Sequence, residues 1–315
     1  MSDLTIGLNF DLDRDHTFLY QAIQETFEMG LINAVTNSVG DLIAQTVTSD
    51  IGVSFFSEFY DFGSIKEFTG TTQYSEYMQR MRAVYAIEWS KAFKHSWLEV
   101  RRDPQKLTRS ALALAYLFGR HKEKLIFELG VKGGFSGTHI DNVPFFSANH
   151  VTHDSNGVET VFSNYDTGTS PVWLLADLSD PSTLPFVFQS TEAPNVISIT
   201  DPNDSVVRSN QYFEVIGRSS SNASQLFHQK VIASRKALTF DNLVDAYERL
   251  SSQHNRSGES LGIKPTHLIT GTSHTKALKA MVKDTAVQGS PIIQLESSDF
   301  LAVRTTPYMN FTPPV

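Results

Sequence analysis

A chain of 315 residues with 40% hydrophobic and 19% charged side chains has the composition of a folded protein, far from the low-hydrophobicity, high-charge balance of disorder. It holds no cysteine, which excludes disulfide scaffolds, thiolate zinc sites and cysteine nucleophiles together. A net charge of −8 repels phosphate overall and argues against tight sheathing of nucleic acid.

The first stretch, MSDLTIGLNFDLDRDH, carries acidic residues where a secretory leader needs a basic start and an apolar run. No apolar stretch approaches the roughly 20 residues that span a bilayer. The expectation is a chain neither exported by that route nor embedded in a membrane. Residues 15 to 47 form an apolar, helix-compatible segment in which Gly30 and Gly40 mark interruptions, predicting two or three short helices. From Ser54 the texture turns to aromatics among polar residues, SFFSEFYDFGSIKEFTGTTQY, followed by MRAVYAIEWSKAFKHSWLEV. Period-two geometry sets Phe93, His95, Trp97 and Glu99 on one side of an extended chain. With large aromatics and charges on both faces, the pattern predicts a projecting two-stranded ribbon. Arg80, Arg82, Arg101, Arg102, Lys106 and Arg109 cluster nearby; a solvated face or contacts with acidic neighbours outweigh a phosphate-binding role.

In RDPQKLTRSALALAYLFGRHKEKLIFELG Asp103 suits a cap, Pro104 the first turn and Gly130 a left-handed stop. Leu107, Ala111, Leu114, Phe118 and Leu125 make one apolar stripe, so the spacing predicts a single long helix, 104–129. Residues 133 to 170 read as loop. Strand candidates follow, separated by prolines: VWLLADL, PFVFQ, NVISIT, NQYFEVIG and LFHQKVIAS. LTFDNLVDAYERLSSQ then places Phe240, Leu243, Val244, Tyr247 and Leu250 at helical spacing with Thr239 as cap. The strand THLIT and the helix SHTKALKAMVKD, with Ala277, Leu278, Met281 and Val282 inward, complete a small α/β unit.

Candidate chemistry is sparse. The window GTHIDNVPFFSANHVTHDS holds His139, Asp141, His150, His153 and Asp154, but in a loop the three-residue spacing of His150 and His153 does not fix a ligand set. The reading is of polar loop residues, with no metal. LITGTSHTKAL resembles a nucleophile elbow at Ser273, yet Thr275 stands where the motif needs glycine. Ser273 or Thr272 serves more simply as a helix cap. GVKGGFSG follows a helix rather than joining a strand to one, so it lacks dinucleotide-binding geometry. No cofactor and no catalytic residue are assigned.

From about residue 104 to 283 the order of segments resembles the major head proteins of Mu-like tailed phages. The long helix comes first, then DNVPFFSANHV, PVWLLADLS, PFVFQ, YFEVIGR and the run LTFDNLVDAYERL to LGIKPTHLI. The resemblance implies an α+β, HK97-like major capsid protein fold. It divides the chain into an N-terminal arm (1–50), an extended loop (51–102), a peripheral domain with its spine helix (103–235) and an axial domain (236–315). It gives His150 no catalytic duty. It implies a non-enzymatic subunit, assembled in a bacterial host's cytoplasm, that forms hexamers and pentamers of an icosahedral shell around double-stranded DNA. The resemblance leaves room for portal, scaffold or decoration proteins as further partners. Trp89, Phe93 and Trp97 are the candidate subunit contacts, weighed against packing within the subunit. The rival readings are an encapsulin-like compartment shell with enzyme cargo, and a serine hydrolase using Ser273 with His267 or His274.

Overall fold

The computed structural model describes residues 12–34, 38–59, 79–201, 203–281, 284–287, 290–294, 300–311 and 313. The chain opens with helices α1 (Leu12–Ala34) and α2 (Val39–Ile43). Strands β1 (Ala44–Thr48), β2 (Val53–Phe59), β3 (Gln79–Tyr85) and β4 (Ile87–Ser96) follow, then α3 (Trp97–Arg102) and α4 (Gln105–Leu125). Contrary to the expected break at Gly30, α1 runs straight through it. Its buried stripe is Leu19, Ile23 and Phe27, at the four-residue spacing of one helical face. Gly30 is there for contact: a Cβ would stand 2.6 Å from the Cβ of Ala115, and one on Gly119 2.5 Å from that of Ala34. The two glycines let α1 and α4 approach closely.

The long helix is as expected but ends differently. Gly130 does not adopt a left-handed conformation; the helix continues as a π-helical turn, Ile126–Val131, and a 3-10 turn, Lys132–Phe135. The side-chain amide of Gln225 donates to the carbonyls of Leu129 and Gly130 at 2.8 Å each, satisfying acceptors that a helix end leaves open. Asp103 does not cap either: the N-cap position is Pro104, without a side-chain cap bond.

Beyond it come β5 (His150–His153), β6 (Glu159–Phe162), β7 (Tyr165–Asp166) and β8 (Trp173–Ala176), all but β8 within the stretch expected to be loop. Then follow β9 (Phe186–Ile199), α5 (Ser205–Asn210), β10 (Tyr212–Gln225), β11 (Val231–Ser234), α6 (Phe240–Ser251), β12 (His267–Thr270), α7 (Thr275–Met281), β13 (Asp284–Val287), β14 (Ser290–Gln294) and β15 (Phe300–Thr305). A four-stranded sheet has the order β1-β9-β10-β4. PFVFQ and NVISIT are thus one strand, 14 residues long. Its Pro194 lies beyond Ser190, the last residue paired with β1, where one strand edge is open and a missing N–H is tolerated. Likewise β10 does not stop at Gly217 but continues to Gln225, because the glycine lets the Phe118 ring lie against the strand: a Cβ there would meet Cε2 at 2.4 Å.

The ribbon exists, but not where the aromatic run placed it. β2 and β3 pair from Val53↔Tyr85 to Phe59↔Gln79, whereas β4 joins β10 from Ser96↔Tyr212 to Ile87↔Ser221. The extended chain ends before Trp97: Ser96 accepts from the N–H of Glu99, and the Glu99 carboxylate accepts in return from that of Ser96, a capping box that starts α3.

A mixed seven-stranded sheet has the order β13-β14-β15-β12-β8-β11-β7. β8 and β11, expected beside the long helix, therefore share a sheet with the C-terminal strands, and period-two alternation splits their residues between two cores. Leu174, Ala176, Val231 and Ala233 pack with Ile126, Phe127 and Phe186. Trp173, Leu175 and Ile232 pack with Leu243 and Leu250 of α6 and Leu278 of α7. Thr239 caps α6 as expected, accepting from the N–H of Asn242. Phe240, expected inward, is largely exposed, with Ala246 on the buried face instead. Leu278 is buried and Ala277 and Met281 partly so, while the side chain of Val282 lies outside the described residues. No described helix is long and apolar enough to cross a membrane.

Candidate functional site

The titratable cluster forms where the segment between the two sheets folds inward on Phe145 and Phe146, both buried. His150 opens β5 and is fully buried, so the reading of it as a polar loop residue is corrected. Its Nδ1 lies 2.5 Å from the Asp141 carboxylate and its Nε2 3.0 Å from the carbonyl of Phe145. Both partners are acceptors, and a neutral imidazole has only one N–H. The direct contact makes Asp141 the side-chain partner of His150 in the core. Burial alone would raise the Asp141 carboxyl, but the His150 hydrogen bond and the field of the neighbouring histidines outweigh it and bring it down to about 2.

His228 stacks on His150 with ring centroids 4.1 Å apart and planes 17° apart. Asp141, His150 and His228 are close enough to be considered a metal triad. Two of the three are already joined, by the direct contact between Asp141 and the Nδ1 of His150. His139 is held differently. The Arg82 guanidinium donates to its Nδ1 at 3.1 Å and its Nε2–H donates to the carbonyl of Leu226 at 3.0 Å, which is the neutral tautomer. Asn164, also fully buried, donates to the carbonyls of Phe145 and His228 and accepts from the N–H of Ser147. Together these groups brace the 139–150 segment against the base of the ribbon, the end of β10 and the turn before β11. Screened from solvent, His150 has no access to a substrate. His228, Asn164 and Arg82 come from distant segments, and nothing in their own neighbourhoods signalled the cluster.

His153 and Asp154 do not join it. His153 pairs with Glu159 across the hairpin and bridges His254. The exposed Asp154 carboxylate accepts from the N–H of Val158 and of Asn156, closing the turn. Backbone hydrogen bonds from those two groups hold its carboxyl below the usual range.

At the elbow-like turn, Ser273 is exposed and no hydrogen bond joins it to a histidine among the described residues. The Nε2 of His274 meets the carbonyl of Pro171 at 3.0 Å, and the Nδ1 of His267 the hydroxyl of Thr266 at 2.9 Å. Burial pushes both imidazoles below their usual pKa. Among the described residues, no backbone N–H of the helix donates to the hydroxyl of Thr272 or Ser273; the Thr272 hydroxyl accepts from the Asn310 amide instead. The carboxamide oxygen of Asn310 accepts from the Ser273 N–H, standing where a Cβ on Gly271 would be only 2.2 Å away.

The basic cluster disperses. Lys106 pairs with Glu99 at 3.0 Å and Arg109 with Asp103 at 3.1 Å, while Arg82 also donates to Ser224. Arg101 and Arg102 stand exposed at the C-terminus of α3, which favours cations, and the side chain of Arg80 lies outside the described residues. Of the aromatics, Trp89 donates its indole N–H to the carbonyl of Ser221 at 3.0 Å. Trp97 stacks on Phe213 at 5.4 Å, and Phe93 packs beside them. All three are half-buried within their own subunit.

A family model described as the Mu-like prophage major head subunit gpT matches residues 17–308. Over 147 residues the chain is 29% identical to the Mu-like prophage FluMu major head subunit of Haemophilus influenzae, covering 47% of this chain and 44% of that protein. Over 195 residues it is 27% identical to the major capsid protein of Escherichia phage Mu, covering 59% and 63%. It thus spans less than two thirds of either relative. Among solved structures it superposes on a chain of the bacteriophage JBD30 procapsid with a TM-score of 0.75 at 20% identity, over 93% of this chain and 98% of that one. For the JBD30 capsid the TM-score is 0.70 at 15% identity, over 88% and 92%. At such identities the likeness establishes the fold, and the family match establishes the rest: this chain belongs to the Mu-like prophage major head subunit family.

Proposed function

We infer that the chain is the major capsid protein of a tailed phage or prophage and that it works by binding copies of itself. The reading is of hexamers and pentamers closing an icosahedral shell around double-stranded DNA, assembled in the host cytoplasm, with portal, scaffold or decoration proteins as further partners. The observation that carries it is the family match over residues 17–308. The ribbon supports it physically. Phe55, Met81 and Tyr85 share one face of the β2–β3 pair and are 65%, 64% and 66% exposed. Burying such a surface between chains gains roughly 25 cal/mol per Å². In this reading residues 1–50 are the arm, 51–102 the extended loop, 103–235 the peripheral domain and 236–315 the axial domain. The exposed parts of Trp89, Phe93 and Trp97 meet neighbouring subunits.

Electron microscopy of the purified protein is the test. Closed shells are expected, and a monodisperse monomer at high concentration overturns the reading. Particles that form but enclose a protein cargo instead of DNA place the chain with compartment shells.

A further inference from the structure

Asp141, His150 and His228 bring ligating atoms within 4.8 Å of one another, and both histidines are buried. They stand in the turn ahead of β5, at the first residue of β5 and in the 3-10 turn ahead of β11. The surroundings fix how the His150 ring is presented. The carbonyl of Phe145 can only accept, so the Nε2 that faces it at 3.0 Å is a donor, and Nδ1 is the nitrogen turned to the Asp141 carboxylate, 2.5 Å away. Asn164 holds the arrangement from behind. Its amide donates to the carbonyl of Phe145 at 2.8 Å and to the backbone carbonyl of His228 at 3.2 Å. An imidazole whose far nitrogen is tied to an anchored carbonyl is the usual way of aiming a histidine at a metal ion.

The donor types select the ion. Two imidazoles and a carboxylate suit zinc and its first-row neighbours, whereas calcium and magnesium take oxygen ligands. Ligands about 2.0–2.1 Å from a tetrahedral ion lie about 3.3 Å from one another. To reach that spacing the Asp141–His150 contact opens by under about 1 Å, and a ring nitrogen of His228 closes by at most about 1.5 Å. Side-chain rotations supply both movements. The ion takes the place of the hydrogen-bonding proton between Nδ1 and the carboxylate, and that proton passes to the buffer. The other carboxylate oxygen of Asp141 has a distant partner, the N–H of Val143 at 3.5 Å, and is placed to turn in as a fourth donor.

We propose that Asp141, His150 and His228 form a binding site for a divalent transition-metal ion of the zinc type. The ion ties the 139–150 segment to the turn before β11. Because the site is screened from solvent, the ion enters as the chain folds.

The full chain is produced in cells grown with added zinc and, separately, in zinc-depleted medium, then desalted. Elemental analysis is expected to find about one zinc per chain in the first preparation. Its melting temperature is expected to lie about 5 °C above that of the depleted chain when free zinc is a hundredfold above its Kd. Magnesium chloride is expected to cause no shift. Cobalt supplied instead of zinc is expected to give the strong visible absorption of a four-coordinate ion. Zinc-free protein from supplemented cells, or cobalt with the weak spectrum of its six-coordinate aqueous ion, overturns the proposal. His228→Gln is expected to weaken retention at least tenfold, while His254→Gln, at the bridge to His153 outside the cluster, retains the ion. Zinc held equally by both variants lies on other histidines and overturns the site. Should His228→Gln fail to fold, the metal content and cobalt spectrum of the parent chain decide by themselves.

Discussion

His150 is the residue on which the buried cluster turns, because both its ring nitrogens are committed, one to the Asp141 carboxylate and one to the carbonyl of Phe145. Asp141→Asn breaks this buried pair by removing one partner, and a loss of about 3–5 kcal/mol is expected in urea unfolding of the monomer. The Asp141 carboxyl is lowered in the folded chain from 3.8 to about 2. Its contribution is therefore complete above the unfolded value and fades as pH falls through that interval. Melting temperature measured down through this range should show a loss on the order of 2 kcal/mol that Asp141→Asn lacks. The sequence displayed Asp141 and His150 in one window, yet not their burial. The residues that enclose them, Arg82, Asn164 and His228, are brought there by three different strands or turns. The capping box at Ser96 and Glu99, by contrast, stood in plain view as S-x-x-E.

Among elements, the helices were the more legible. The stripe from Leu107 to Leu125 and the cap at Thr239 are local patterns, and local patterns survive tertiary context. Strand ends were misread at Pro194 and Gly217 because both residues punctuate an isolated chain. Each is accommodated by something distant: an unpaired edge at Pro194 and the Phe118 ring at Gly217. Gly217→Ala is expected to cost about 1–3 kcal/mol by forcing Phe118 and α4 away from β10. Gly52→Ala, where an added Cβ would meet nothing within 4 Å, should be nearly neutral. Denaturant midpoints of the two variants decide the matter. Equal midpoints would mean that Phe118 shifts aside freely.

At the scale of the whole molecule, the fold class was legible through the order of segments, while the distribution of strands between two sheets was not, since sheet partners leave no trace in spacing. In the shell reading, the outward face of the ribbon is where folding and assembly separate. Ser54, Phe56, Arg82 and Val84 occupy the opposite face of the β2–β3 pair, with Val84 buried and Phe56 packed beneath it. Replacing Phe55 and Met81 by serine should leave the monomer's circular dichroism and melting unchanged and abolish shells in the microscope. Shells that persist would move the principal contacts elsewhere.

The four-stranded sheet also has a consequence for synthesis on the ribosome. Its outer strands, β1 and β4, are translated within the first hundred residues, whereas the two between them end only at Gln225. Nothing of that sheet closes until the middle strands have left the exit tunnel, and such non-local pairing is slow. A nascent chain therefore holds β4 without its sheet partner until β10 has left the tunnel.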